Sequence, residues 1–199
     1  MKLTTPNAAI LAMFAATLVS PLAAQEALPV KNCTWCHGSS AQGFANAPRI
    51  AGQKHQYLED ALLSFKTHSR DNPNSKQFMW GAAANLDREM MRDFALYFSQ
   101  LPAEPARDGY DALVDEGKAI YAEGIPNSNV VSCIVCHGPN AEGFEAIPKL
   151  AGMSYPYLKR RMEEWNEGYH AAAGPMPRVT KTLTTKEIEA LASYLSFLR

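Results

Sequence analysis

Cysteine is scarce in this 199-residue chain: there are four, at positions 33, 36, 133 and 136, and all of them fall into two C-x-x-C pairs with none left over. Charge of one sign is also lacking. The net charge is −1 and there is no run of Lys and Arg, which speaks against a nucleic-acid binder. No convincing alternation of apolar and polar residues occurs anywhere, so strands are not expected and the chain reads as all-α. After the N-terminus there is no further apolar stretch long enough to span a membrane. What remains is ordinary for a globular protein: 47% hydrophobic and 20% charged residues.

The N-terminus carries the marks of an export signal. Lys2 supplies a short positive region, an apolar run covers residues 8–19, Pro21 closes it, and Leu22, Ala23 and Ala24 offer a small-residue cleavage site. The run is short for an uncleaved anchor. Cleavage near Ala24 removes one lysine and leaves 18 basic against 20 acidic residues, a net charge of −2.

The chain is organised around a stretch of about twenty residues that occurs twice. Residues 33–52 read CTWCHGSSAQGFANAPRIAG and residues 133–152 read CIVCHGPNAEGFEAIPKLAG. Each opens with C-x-x-C-H, the sequence at which haem is attached covalently. The spacing follows from the chemistry, since two thiols form thioethers to the haem vinyl groups and the adjacent histidine reaches the iron. Cys33, Cys36, Cys133 and Cys136 are therefore the attachment residues, and His37 and His137 the proximal ligands. Two competing readings of the pairs fit less well. A zinc site would draw both pairs into one place, which a repeat about 100 residues long does not suggest, and a thioredoxin-like pair would need a βαβ setting.

The repeat extends beyond the motifs. Leu58, Ala61, Leu62 and Phe65 lie on one helical face, as do Leu158, Met162 and Trp165, with Ser154 as a candidate cap. A polar loop follows in each half, HSRDNPNSKQ and NEGYHAAAGP, and then a methionine, Met79 or Met176, seven residues before Leu86 or Leu183. A closing helix ends each half. Asp87 caps the first, with Met91, Phe94, Ala95 and Phe98 inward. Thr184 and Glu187 form a capping box for the second, with Ile188, Leu191, Ala192 and Leu195 inward. Between the halves, LPAEPARDG at residues 101–109 reads as an extended linker. The expected division is a leader over 1–24, one domain over 25–103 and another over 104–199.

Met79 and Met176 stand 42 and 39 residues after their histidines and are the candidate sixth ligands; a thioether raises the reduction potential and fills the coordination sphere. His68 and His170, in the same loops, are the rivals, each read otherwise as an exposed loop residue. Met90, Met91, Met153 and Met162 read as core fillers, His55 as a surface residue at a helix start, and Tyr97 and Tyr194 as packing residues. Pro48 and Pro148 each lie eleven residues after a proximal histidine, where a backbone carbonyl can accept the imidazole N–H and fix its tautomer. Trp35 belongs at the haem periphery. Arg49 and Lys149 either reach the haem propionates or are solvated surface charges.

On the two CxxCHG motifs, the two G-F-x-x-x-P-[RK]-[IL]-A-G segments, and Met79 and Met176 ahead of their capped helices, the mature chain resembles the dihaem cytochromes c of the cytochrome c4 type. The resemblance implies two tandem class I cytochrome c domains, each binding one covalent haem c with His/Met iron. It also implies that Pro48 and Pro148 support the histidines. Export suits this family, because bacterial cytochromes c acquire haem outside the cytoplasm. The expected function is a periplasmic, non-enzymatic electron carrier between a dehydrogenase or respiratory complex and a terminal oxidase or reductase. Its partners would be redox proteins, including a membrane complex met peripherally, and no nucleic acid. The alternatives are a dihaem enzyme of peroxidase or thiosulfate-oxidising type and a fixed electron-transfer subunit of a dehydrogenase.

Three departures from the family pattern mark the halves as unequal. The first domain lacks an N-terminal helix, since residues 25–32 are too few for a stable one, whereas residues 111–122 supply it in the second, with Gly117 and Tyr121 at the contact with the closing helix. The family glutamine is kept as Gln53 but becomes Met153. The arginine of the methionine loop fits Arg70 but is replaced near Tyr169 and His170. The missing helix leaves the face around Phe94, Leu96 and Phe98 without cover, and leaving large side chains wet forgoes about 1.5–3 kcal/mol each. The linker from Leu101, the second domain and a partner are the candidate fillers; the linker is short and proline-rich, so the second domain or a partner is expected.

Overall fold

The computed structural model describes residues 29–43 and 46–199, so the leader and its cleavage site lie outside the described residues. In the first half, α1 (Lys31–His37), α2 (His55–Lys66), a π-helical turn (Ser75–Met79) running into α3 (Trp80–Ala83), and α4 (Arg88–Ser99) follow one another. In the second, a 3-10 turn at Asp111–Leu113 leads into α5 (Val114–Glu123). Then come a 3-10 turn at Pro126–Ser128, α6 (Ile134–His137), α7 (Tyr155–Asn166), α8 (Met176–Val179) and α9 (Thr185–Phe197). Among the described residues the only β features are two isolated bridges, Ile125 with Val130 and Phe144 with Ile147.

Each half closes on its own core. Leu58 of α2 meets Phe94, Ala95 and Phe98 of α4 in the first; in the second, Leu158 and Met162 of α7 and Ile120 and Tyr121 of α5 surround Ile188, Leu191 and Leu195 of α9. The closing helices start where their caps dictate. Asp87 Oδ1 accepts the Met90 N–H at 2.8 Å. Thr184 Oγ1 accepts the Glu187 N–H at 3.3 Å, and the Glu187 carboxylate accepts the Thr184 N–H at 2.7 Å.

The α5–α9 contact has no room for a side chain at residue 117. A Cβ on Gly117 would stand 2.0 Å from the Ala190 carbonyl oxygen, so glycine lets the two backbones touch. Four residues on, buried Tyr121 packs against Tyr194 and donates its hydroxyl to the Gly138 carbonyl at 2.6 Å, tying α5 to the end of the second C-x-x-C-H helix.

Lys31 and Asn32 are helical only as the opening turn of α1, with no separate helix before the first motif among the described residues. Three expectations need correction. Ser154 holds the cap position of α7, but its side chain caps nothing; instead Asp108, reaching from the linker, accepts the Tyr155 N–H at 2.8 Å. The polar stretch before Met79 is not all loop, because helical structure begins at residue 73. Pro73 stands at the first helical position and the Asn72 carbonyl accepts the Lys76 N–H, a start signal inside a stretch read in the sequence as a polar loop. Finally, the face around Phe94 and Phe98 is not bare. Both are 3% exposed and packed within their own half, against Leu58, Ala51 and neighbours, while Leu96 is half-buried.

Residues 101–109 form neither helix nor strand, with Arg107 at φ +52°, and they are stitched to both halves. The Gln42 side-chain amide donates to the Pro102 carbonyl and accepts the Glu104 N–H. The Ala106 and Arg107 N–H groups donate to the carbonyls of Gly152 and Ser196. Gly152, at φ +69°, makes room: a Cβ there would meet the Pro105 Cα at 2.8 Å.

Candidate functional site

The twenty-residue repeat folds the same way twice. A short helix ends on the histidine, α1 at His37 and α6 at His137; α1 carries both of its cysteines, while Cys133 stands at the cap position just before α6. The chain then turns back: Gly43 and Gly143 donate their N–H to the carbonyls of His37 and His137 at 2.8 and 2.9 Å. Ala41 and Ala141, both fully buried, each accept two N–H bonds, from Ile50 and Ala51 and from Leu150 and Ala151. This fold-back sets Pro48 and Pro148 beside the histidines. His37 Nδ1 lies 2.6 Å from the Pro48 carbonyl oxygen and His137 Nδ1 3.0 Å from that of Pro148.

The electrostatics follow from burial. His37 and His137 are buried, and desolvation pushes both imidazoles below their ordinary pKa, with the proline carbonyl only partly opposing it. Each ring is therefore neutral, donates from Nδ1 to the proline and keeps the Nε2 lone pair for a metal. The four thiols are unbridged; Cys36 and Cys136 are exposed, Cys33 and Cys133 half-buried. Burial, with the neighbouring thiol, raises the pKa of Cys33 and pushes Cys133 up to about 11.

This donor set fits covalent haem: a free thiol pair three residues apart and, next to it, an imidazole of fixed tautomer. It does not fit a shared zinc site, since no group of three or more His, Cys, Asp and Glu gathers into a metal cage among the described residues. Among the described residues, Arg49 Nε, Arg70 Nε, Arg160 Nε and Trp165 Nε1 are buried donors without an acceptor.

Met79 and Met176 are both half-buried but sit differently. Met79 ends the π-helical turn, a local form that adds a residue to the helical turn, whereas Met176 opens α8 behind Pro175. The rival histidines are engaged elsewhere. His68 is exposed and stacks on Trp80 with ring centroids 3.9 Å apart. His170 is not an exposed loop residue: its N–H donates to Asp71 Oδ1 at 2.6 Å, and its Nδ1 lies 3.2 Å from Arg161 Nη2. Burial, then the positive charge of Arg70 and Arg161, brings its pKa down to about 4 despite Asp71. Trp35 is 87% exposed.

Arg49 fulfils neither sequence expectation. It is 6% exposed and donates, at 2.7 Å each, to the carbonyls of Glu104, Gly152 and Ala151, clamping the first half to the linker and the second. Lys149 is half-buried, and its main chain is bound by the Gln53 side chain.

A second interdomain cluster had not been anticipated. Arg70 donates to the hydroxyls of Tyr157 at 3.1 Å and Tyr57 at 3.4 Å, Arg161 pairs with Glu164, and Asn72 donates to Glu164 at 3.0 Å. One signal was available in the sequence. Tyr57-Leu58 and Tyr157-Leu158 recur at the repeat spacing, so the tyrosines as well as the leucines are twins.

The family model described as cytochrome c matches residues 23–103 and again 114–199. Cytochrome c-552 of Acidithiobacillus ferridurans is 32% identical over 170 residues, which cover 84% of this chain and 74% of that protein. A thiosulfate dehydrogenase electron acceptor of Thiomonas intermedia is 32% identical over 172 residues, covering 83% and 77%. Among solved structures, the cytochrome c4 of Acidithiobacillus ferrooxidans aligns with a TM-score of 0.80 at 32% identity, over 84% of this chain and 99% of that one.

Proposed function

This chain belongs to the cytochrome c family, two of whose domains it carries in tandem, and from that premise we propose that it shuttles single electrons in the periplasm, from a dehydrogenase or respiratory complex to a terminal oxidase or reductase. It is a dihaem electron carrier of the cytochrome c4 kind, with two covalently bound haem c groups. Each haem, when bound, supplies a one-electron iron couple.

The protein's part in this proposal is attachment, orientation and exclusion of water. Cys33 and Cys36 would hold one haem and Cys133 and Cys136 the other. His37 and His137 would bind iron through Nε2, with Nδ1 donated to Pro48 and Pro148. Met79 and Met176 would each offer a thioether to the iron, which suits transfer rather than catalysis. The domains span 25–103 and 104–199, after a leader over 1–24 removed near Ala24. The observation that carries the reading is the pair of His–Pro hydrogen bonds, reproduced in both motifs and built by the same fold-back. No helix among the described residues is long and apolar enough to cross a membrane. The name of the Thiomonas relative favours a dehydrogenase as one donor.

A redox titration followed by optical spectra tests this. The purified protein should show two one-electron steps, low-spin haem in both oxidation states and a sulfur–iron charge-transfer band. Mass spectrometry should find two haem additions on the mature chain. A high-spin, ligand-exchangeable spectrum at either haem would replace the carrier with the enzymatic alternative, and a mass equal to the bare chain after expression with haem-maturation machinery would end both.

A further inference from the structure

One buried side chain of the first domain touches the support of the second domain's proximal histidine. Gln53 is 5% exposed, and its amide pairs with the main chain of Lys149 on both sides: Oε1 accepts the Lys149 N–H at 2.7 Å and Nε2 donates to the Lys149 carbonyl at 2.9 Å. The Lys149 N–H belongs to the same peptide unit as the Pro148 carbonyl. That carbonyl oxygen is the acceptor for His137 Nδ1, at 3.0 Å. Gln53 and His137 are thus hydrogen-bonded to opposite ends of one peptide group.

A peptide whose N–H is engaged carries more negative charge on its oxygen, because hydrogen bonds in a chain polarise one another. A stronger acceptor draws the Nδ1 proton and makes the imidazole a better donor to iron through Nε2, which favours the oxidised metal. We propose that Gln53 is a positioning residue for the haem of the other domain, lowering the reduction potential of the second haem through the Pro148–Lys149 peptide. This rests on the reading of His137 as the proximal ligand.

The arrangement is one-sided. The twin of Gln53 is Met153, which has no amide to offer and lies in the core of the second half. In the opposite direction Arg49 contacts carbonyls of residues 151 and 152, which do not support a histidine.

Two variants of the full holoprotein test this: Gln53→Leu, which removes both contacts to Lys149 together with the Oε1 contact to the Lys54 N–H, and Gln53→Glu, which keeps an acceptor for both N–H groups but loses the donor to the Lys149 carbonyl. Both potentials and the Nδ1–H proton resonances of His37 and His137 in the reduced protein are measured. Gln53→Leu should raise the potential of the second haem, shifting its reduction equilibrium on the order of threefold. It should also move the His137 resonance upfield and leave that of His37 in place. Gln53→Glu should hold the His137 resonance at or downfield of its wild-type position. If both variants move it upfield alike, Gln53 is only a clamp between domains, and the proposal fails. It fails equally if Gln53→Leu leaves the His137 proton unmoved. A wild-type protein without low-spin haem at the second motif would overturn the functional reading as well, and that is seen before any substitution is made.

Discussion

The Arg49 guanidinium and the Gly152 carbonyl, 103 positions apart in the chain, meet at 2.7 Å inside the boundary between the two domains. The same guanidinium reaches Ala151 and Glu104, so one side chain satisfies three main-chain acceptors that folding has hidden from water. Replacing it with methionine keeps much of the apolar stem but leaves the Ala151 and Glu104 carbonyls without this donor, while the Gly152 carbonyl keeps the Ala106 N–H. Arg49→Met should cost about 3 kcal/mol in urea unfolding. It should also speed proteolysis within residues 101–109, which the clamp holds down.

The α5–α9 contact is intolerant of a single methyl. In Gly117→Ala the new Cβ would overlap the Ala190 carbonyl, and the helices must separate. A loss of about 3 kcal/mol or more is expected, confined to the second domain. Thermal unfolding followed at the two haems should show the second melting early while the first is unchanged; coincident melting would mean that the domains unfold as one unit.

Met79 and Met176 are expected to be the distal ligands. Met79→Ala and Met176→Ala should each abolish about half of the sulfur–iron charge-transfer absorption and lower the potential of one haem. Should the band survive intact in Met79→Ala, the ligand is another residue, and His68 becomes the candidate to replace next.

His170 makes stability depend on pH in a defined window. Its pKa in the folded protein is brought down to about 4, below the ordinary histidine value of 6.5, so between these values the unfolded chain binds a proton that the folded chain refuses. Its contribution therefore lowers stability as pH falls from about 6.5 to about 4 and changes no further below that. The side chain is only partly buried, so the effect is on the order of 1 kcal/mol after allowance for solvent screening. Subtracting the urea-unfolding profile of His170→Asn from that of the wild type should isolate it. A flat difference between pH 4 and 6.5 would show that the imidazole is not held neutral.

The sequence by itself determined what depends on local chemistry and periodicity. Two C-x-x-C-H motifs specify haem attachment. The stripes Met91–Phe94–Ala95–Phe98 and Ile188–Leu191–Ala192–Leu195 specify buried helix faces, and Asp87, Thr184 and Glu187 specify where those helices start. The repeat carried the rest, since a proline eleven residues after each histidine is informative only because it occurs twice. Tertiary structure decided everything whose partner is distant in sequence. A lone arginine such as Arg49 reads the same whether solvated, at a propionate or clamping three carbonyls, because its chemistry is identical in all three. Gln53, Arg70 and His170 likewise acquire their meaning from residues 87 to 99 positions away. The cover over Phe94 and Phe98 was misjudged for the same reason: a helical stripe shows which face turns inward, but the neighbours that fill the space against it are set by how the whole chain packs.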